Sequence, residues 1–129
     1  MSFYDKILQF ETALEKLKEA VNLYNIEKKD IYIDAMIQRF EFCTELSWKL
    51  MKRYLDENLV IEHNSPRSVV KEAYKQRLIE DGEIWLDILE DRNLTSHTYD
   101  ELTANRIRDN IINKYLEVFD KFLNKIKEM

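Results

Sequence analysis

Arg92, Asn93, His97 and Tyr99 fall close together in the stretch Asp-Arg-Asn-Leu-Thr-Ser-His-Thr-Tyr-Asp (91–100). Arginine carries a permanent charge on a planar fork that matches two phosphate oxygens. Histidine titrates near neutral pH, so it takes or gives a proton under ordinary conditions. The pair is a minimal set for phosphodiester chemistry without a metal. His97 would accept the proton of a ribose 2′-hydroxyl or return one to the leaving oxygen. Arg92 would stabilise the charge gathering on the phosphoryl oxygens. Such a cleavage leaves a cyclic phosphate. One histidine serves poorly as both acid and base, and a symmetric dimer would supply two. The bare spacing decides nothing: with seven arginines and two histidines, it arises by chance in about one chain in ten. The same residues also suit a plain helix junction, where a terminal arginine complements the helix dipole.

The elements around this stretch read as helices. One glycine and one proline in 129 residues leave few tight turns for a β-rich fold. Phe3, Ile7, Phe10, Leu14, Leu17, Val21 and Tyr24 recur at steps of three and four, the stripe of an amphipathic helix. Asp30 is the expected N-cap of a second helix over about 31–57. Its stripe (Ile33, Met36, Ile37, Phe40, Cys43, Thr44, Ser47, Trp48, Met51, Leu55) is wider than one seam requires. Leu59-Val60-Ile61 reads as a short apolar connector. Ser65 before Pro66 starts a third helix, carrying Val69, Val70, Ala73, Tyr74 and Leu78 and broken at Asp81-Gly82. Asp81 would cap a fourth, with Ile84, Trp85, Ile88 and Leu89. Thr98 with Glu101 has capping-box spacing for the last helix, whose free N–H groups would favour an anion. That helix carries Ile107, Ile111, Ile112, Tyr115, Leu116, Val118, Phe119, Phe122, Leu123 and Ile126. The expected architecture is a single all-α domain over 1–129, an up-down four-helix bundle with one wall made of two shorter helices. The surplus apolar width of the second and last helices predicts a homodimer interface.

The remaining residues narrow the chemistry. The only glycine, Gly82, makes no phosphate loop, and one cysteine with two distant histidines, His63 and His97, makes no metal cluster. No metal or cofactor site is expected. Cys43 reads as a buried reduced thiol, Trp48 and Trp85 as core or interface, and His63 as a solvated loop residue. The N-terminal run has charges every few residues, so no signal peptide is expected, no window is long and apolar enough for a membrane span, and a cytoplasmic location follows. The formal charge of −5, from 20 basic and 25 acidic residues of mixed sign, describes solvated helix faces rather than a nucleic-acid stripe. Glu90, Asp91, Asp100 and Glu101 flank the motif and would repel phosphate. Arg67, Lys71, Arg106 and Arg108 are the available counter-charges, and an acidic rim suits a basic protein partner.

The stretch RNLTSHTY (92–99) resembles the signature of HEPN-domain proteins: an arginine, then Asn, Asp or His, a short spacer and a histidine. The blocks RFEFCTELSWKLMKRYL (39–55), SPRSVVKEAYKQRLI (65–79) and DGEIWLDILEDRNLTSHTYDE (81–101) resemble the nucleotidyltransferase substrate-binding family over nearly the whole chain. The tyrosine two past the histidine resembles the subgroup paired with a minimal nucleotidyltransferase. The resemblance implies a homodimeric helical bundle with its Arg/His sets facing across a cleft, and a small nucleotidyltransferase partner. In the toxin–antitoxin version it implies a metal-independent ribonuclease toxin with RNA as substrate. Arg92, Asn93 and His97 are then catalytic, and the partner transfers AMP from ATP to Tyr99. The alternative it implies is a non-catalytic substrate-binding subunit of a two-component nucleotidyltransferase.

Overall fold

The computed structural model describes residues 2–58 and 65–129. Helix α1 (Phe3–Glu27) and helix α2 (Asp30–Asn58) are joined by two residues, so they run back alongside each other in a long antiparallel pair. Helices α3 (Pro66–Lys75) and α4 (Gly82–Leu94) form the broken wall. A 3-10 turn (Thr95–His97) leads to α5 (Glu101–Asn110), a π turn (Ile111–Tyr115) and α6 (Leu116–Lys127), which run as one uninterrupted helix. This is the expected all-α bundle with one wall in two pieces. Leu59, Val60, Ile61 and His63, the expected connector and loop histidine, lie outside the described residues.

Local chemistry explains most boundaries. Ser2 caps α1 through the N–H of Asp5, and Ser65 caps α3 through the N–H of Ser68 with Pro66 behind it. Asp30 is not a cap but the first residue of α2. Helix α3 stops earlier than the apolar pattern suggests. Arg77 adopts φ 62°, its N–H bonds the Tyr74 carbonyl, and the Leu78 N–H bonds the Ala73 carbonyl. That paired arrangement closes a helix and normally uses glycine at the left-handed position, so Leu78 is buried from the loop rather than from the helix. Asp81 precedes α4 but makes no side-chain cap bond; its carboxylate faces Lys121 instead. At Gly82 a Cβ would lie 2.9 Å from the Tyr74 ring, so a larger residue there would have to push that half-exposed ring aside.

The core is an aromatic cluster drawn from every wall. Phe119 lies 6.0 Å from Phe10, 6.3 Å from Phe40 and 5.5 Å from Trp85, measured between ring centroids. Tyr115 stacks on Phe40 at 5.5 Å and 14°. Edge and offset contacts of this kind add to the burial of apolar area. Helix α2 uses both sides of its wide stripe within the chain, against α1 on one flank and α3, α4 and α5 on the other. The last helix likewise buries Ile107, Ile111, Tyr115, Val118, Phe119, Phe122, Leu123 and Ile126. Trp48, Ile112 and Leu116 of the two stripes stay only partly buried, so some apolar width is left over beside the case for a second copy that the resemblance makes. Cys43 is buried, and desolvation pushes its thiol up to about 12. Truncating Phe119→Ala removes the ring shared by α1, α2 and α4 and should cost about 3–5 kcal/mol, read as a lower urea midpoint with an unchanged slope.

Candidate functional site

The end of α4 is built to turn without fraying. The Thr95 hydroxyl donates to the Arg92 carbonyl at 2.7 Å, and the Thr98 hydroxyl donates to the Thr95 carbonyl at 3.2 Å. The Asp100 N–H closes the 3-10 turn on the His97 carbonyl at 3.1 Å. These bonds place Arg92 in the last turn of α4 and His97 one short turn later. Thr98 was expected to cap the last helix together with Glu101. Its hydroxyl is spent on Thr95, and Asp100 is the cap, accepting from the Leu102 N–H at 3.3 Å and the Thr103 hydroxyl at 2.8 Å. The helix start expected to attract an anion thus already holds a carboxylate.

Arg92 reaches α2. Its Nε lies 3.4 Å from Glu45 Oε1 and one terminal nitrogen 4.0 Å from Glu41 Oε2. The two carboxylates are one helical turn apart, so they grip the guanidinium from one face of α2. The Nε–H does not point in line at Glu45 and makes no hydrogen bond, so the contact is an ion pair only. With all three side chains about one-third exposed (34%, 33% and 38%), the clamp orients more than it stabilises. Arg92 and Asn93 line a cleft of about 650 Å³ with Glu45, Trp48, Arg67 and Glu90.

His97 and Tyr99 are not part of that cleft lining. They form their own exposed pair: His97 Nδ1 is 3.3 Å from the Tyr99 hydroxyl, and the rings meet edge to face at 5.9 Å. Tyr99 is 85% exposed, and its hydroxyl meets the His97 imidazole.

The flanking charges divide. Asp91 does not face solvent as an acidic rim would: it is 3% exposed. Its Oδ2 accepts from the Tyr115 hydroxyl at 2.6 Å and the Asn110 amide at 3.0 Å, and its Oδ1 pairs with Arg106 at 3.2 Å. Burial and the Asp91 bond push the Tyr115 phenol far above its ordinary range, so it stays a donor. Arg106 is thereby spent on Asp91. Arg108 turns to Asp109, Asn105 and Tyr24, and Lys71 lines a separate depression with Tyr74. Of the expected counter-charges, Arg67 alone lines the cleft with Arg92. Glu90 and Glu101 stay exposed. Glu41, Glu45, Asp91, Asn110 and Tyr115 are absent from the sequence-based set of site residues; only the acid directly before Arg92 carries any visible signal.

Among the described residues no three His, Cys, Asp or Glu side chains gather in a way that could hold a metal ion, and no helix is long and apolar enough to cross a membrane. Replacing Asp100→Ala removes the cap that sets the junction and should lower stability by about 1 kcal/mol, measured by urea denaturation.

The family described as nucleotidyltransferase substrate binding protein like matches residues 5–128. The chain is 39% identical over 80 residues to a protein of Haemophilus influenzae named probable ribonuclease HepT. That match takes in 59% of this chain and 55% of the relative, so it spans about half the relative's length. A solved Haemophilus influenzae structure, described as the fold of a substrate binding domain of a nucleotidyltransferase, aligns with TM-score 0.81 and 28% identity over 94% of this chain and 98% of that one. The tri-AMPylated Shewanella oneidensis HEPN toxin in complex with MNT antitoxin aligns with TM-score 0.81 over 100% of both chains; at 18% identity it shares the fold.

Proposed function

The chain belongs to the nucleotidyltransferase substrate binding protein like family, and from that membership we propose that it is the helical partner subunit of a minimal nucleotidyltransferase and a HEPN-type ribonuclease toxin silenced by AMP transfer to Tyr99. The observation that carries this reading is the 3.3 Å contact between the exposed Tyr99 hydroxyl and His97. It puts a modifiable group directly against the candidate acid–base residue. The relative named probable ribonuclease HepT and the AMPylated fold relative support the same reading.

In the proposed reaction the ribose 2′-oxygen attacks the adjacent phosphorus, and the bond to the 5′-oxygen breaks. The products are a 2′,3′-cyclic phosphate and a 5′-hydroxyl. His97 takes the 2′-proton, and the His97 of a second copy returns one to the leaving oxygen. Arg92 offsets the charge on the phosphoryl oxygens, and Asn93 supports it from the same helix end. The chain needs no metal and no cofactor of its own for this work, which takes place in the cytoplasm. ATP is consumed by the partner: the Tyr99 oxygen attacks its α-phosphorus, pyrophosphate leaves, and the phenolic proton is lost. The attached AMP then sets a phosphate and a nucleoside beside His97, blocking the RNA by bulk and by charge.

One observation favours a second reading, a non-catalytic substrate-binding subunit: Glu41 and Glu45 already occupy the Arg92 guanidinium, and RNA phosphate would have to displace them. The readings separate on purified protein. Arg92→Ala and His97→Ala should each slow RNA cleavage about 100-fold or more with the helical circular dichroism unchanged. Cleavage that persists in the double variant marks a contaminating nuclease, and complex formation without cleavage by the free protein leaves the binding role. Incubation with the nucleotidyltransferase and ATP should add mass in steps of one AMP, and Tyr99→Phe should abolish the addition.

A further inference from the structure

Asp91 stands next to Arg92, yet the two side chains leave α4 in different directions. Arg92 runs to Glu41 and Glu45 on α2; Asp91 runs to Arg106, Asn110 and Tyr115 on the last helix. The last turn of α4 is therefore tied to two separate elements by consecutive residues. The second tie needs an irregular helix. Five residues along an α-helix carry a side chain about 140° around the axis, so Asn110 and Tyr115 would not share a face. The π turn at Ile111–Tyr115 inserts the extra residue that brings them back together, and both donors reach the same oxygen, Oδ2. A buried carboxylate is a poor way to gain stability, because desolvation offsets most of the attraction. What it adds over an apolar pair is direction: two hydrogen bonds converging on one oxygen, with an ion pair to Arg106 on the other, set the orientation of the turn that bears Arg92.

We propose that Asp91 is the positioning residue of the site, holding the end of α4 through Tyr115, Asn110 and Arg106 so that Arg92 and the His97 turn present themselves to one substrate. The inference rests on the ribonuclease reading for its kinetic test and on the geometry alone for its spectroscopic one. Tyr115→Phe keeps the ring that stacks on Phe40 and removes one donor; Asp91→Asn keeps the shape and removes the charge. Ile88→Val, on the same helix and buried in the core, is the control for lost stability without lost direction.

The measurement is steady-state cleavage of a defined RNA oligonucleotide by the full chain, beside urea denaturation. A misplacement of about 1 Å costs on the order of 100-fold in rate. Asp91→Asn and Tyr115→Phe should therefore lower kcat by roughly ten- to hundred-fold with KM within about twofold, while Ile88→Val leaves kcat alone. Unchanged kcat in both variants, or an equal loss in Ile88→Val, overturns the proposal. If the wild-type chain does not cleave RNA, the functional reading fails, and the positioning role is judged on the Arg92 Nε–Hε resonance of ¹⁵N-labelled protein, assigned by its loss in Arg92→Ala. That signal should move and gain fast motion in Asp91→Asn and Tyr115→Phe but not in Ile88→Val; an unmoved signal in both overturns the positioning role by itself.

Discussion

A carboxylate taken out of water has to be met by polar partners, and the Asp91 carboxylate is met by two hydrogen-bond donors and the Arg106 cation. Much of the architecture around the motif follows from that demand. The donors come from one helix, so the last helix must pass close behind α4. They converge only across a π turn, so that helix gives up one regular turn. Tyr115 spends its hydroxyl on Asp91 and its ring on Phe40, which links the polar network to the aromatic core. Phe119, next on the same stripe, then touches α1, α2 and α4 together. The helix carrying the site is thus registered against the core by a polar contact with fixed angles, while the apolar cluster supplies most of the stability.

How much of this the sequence shows depends on the range of the forces involved. The α1 stripe is legible because burial repeats with the helical period: Ile7, Phe10, Leu14, Leu17 and Val21 are buried, and Phe3 and Tyr24 at its ends are partly so. Ser65-Pro66 is legible because capping is local chemistry between neighbours. The end of α3 is not, because Arg77 takes a left-handed position that glycine normally marks. Thr98 misled for the opposite reason: its spacing to Glu101 fits a capping box, but a competing carbonyl one turn back takes the hydroxyl. The π turn leaves no trace, since the apolar residues from Ile107 to Phe122 are dense enough to fit either helical period.

The site divides in the same way. Arg92, Asn93, His97 and Tyr99 stand out because their spacing is short and their chemistry distinctive. Asp91 looks like one more surface acid, because the two donors to its Oδ2 lie 19 and 24 residues away. Glu41 and Glu45 look like ordinary solvated positions of α2 until the fold sets them against Arg92. Positions that act by contact across the bundle have no local pattern to announce them.

The charges also explain how an acidic chain could present a phosphate site. Of the four acids beside the motif, Asp91 is neutralised internally by Arg106 and Asp100 is bound into the start of α5, where the helix dipole favours it. Glu90 and Glu101 remain exposed, and exposed charges are screened within roughly 8 Å at physiological salt. The fold therefore offsets the repulsion at Asp91, while Asp100 is exposed and keeps its charge at the helix start. On the proposed reading, what remains against RNA is nearer: Glu41 and Glu45 on Arg92 itself. A phosphate must compete with two carboxylates for that guanidinium, so binding energy is spent on displacing them. On the proposed reading this favours a substrate that brings several phosphates and a second copy of the site, and disfavours a lone mononucleotide. The same clamp would keep Arg92 ordered in the empty cleft, so the guanidinium trades one set of oxygens for another rather than being recruited from solvent.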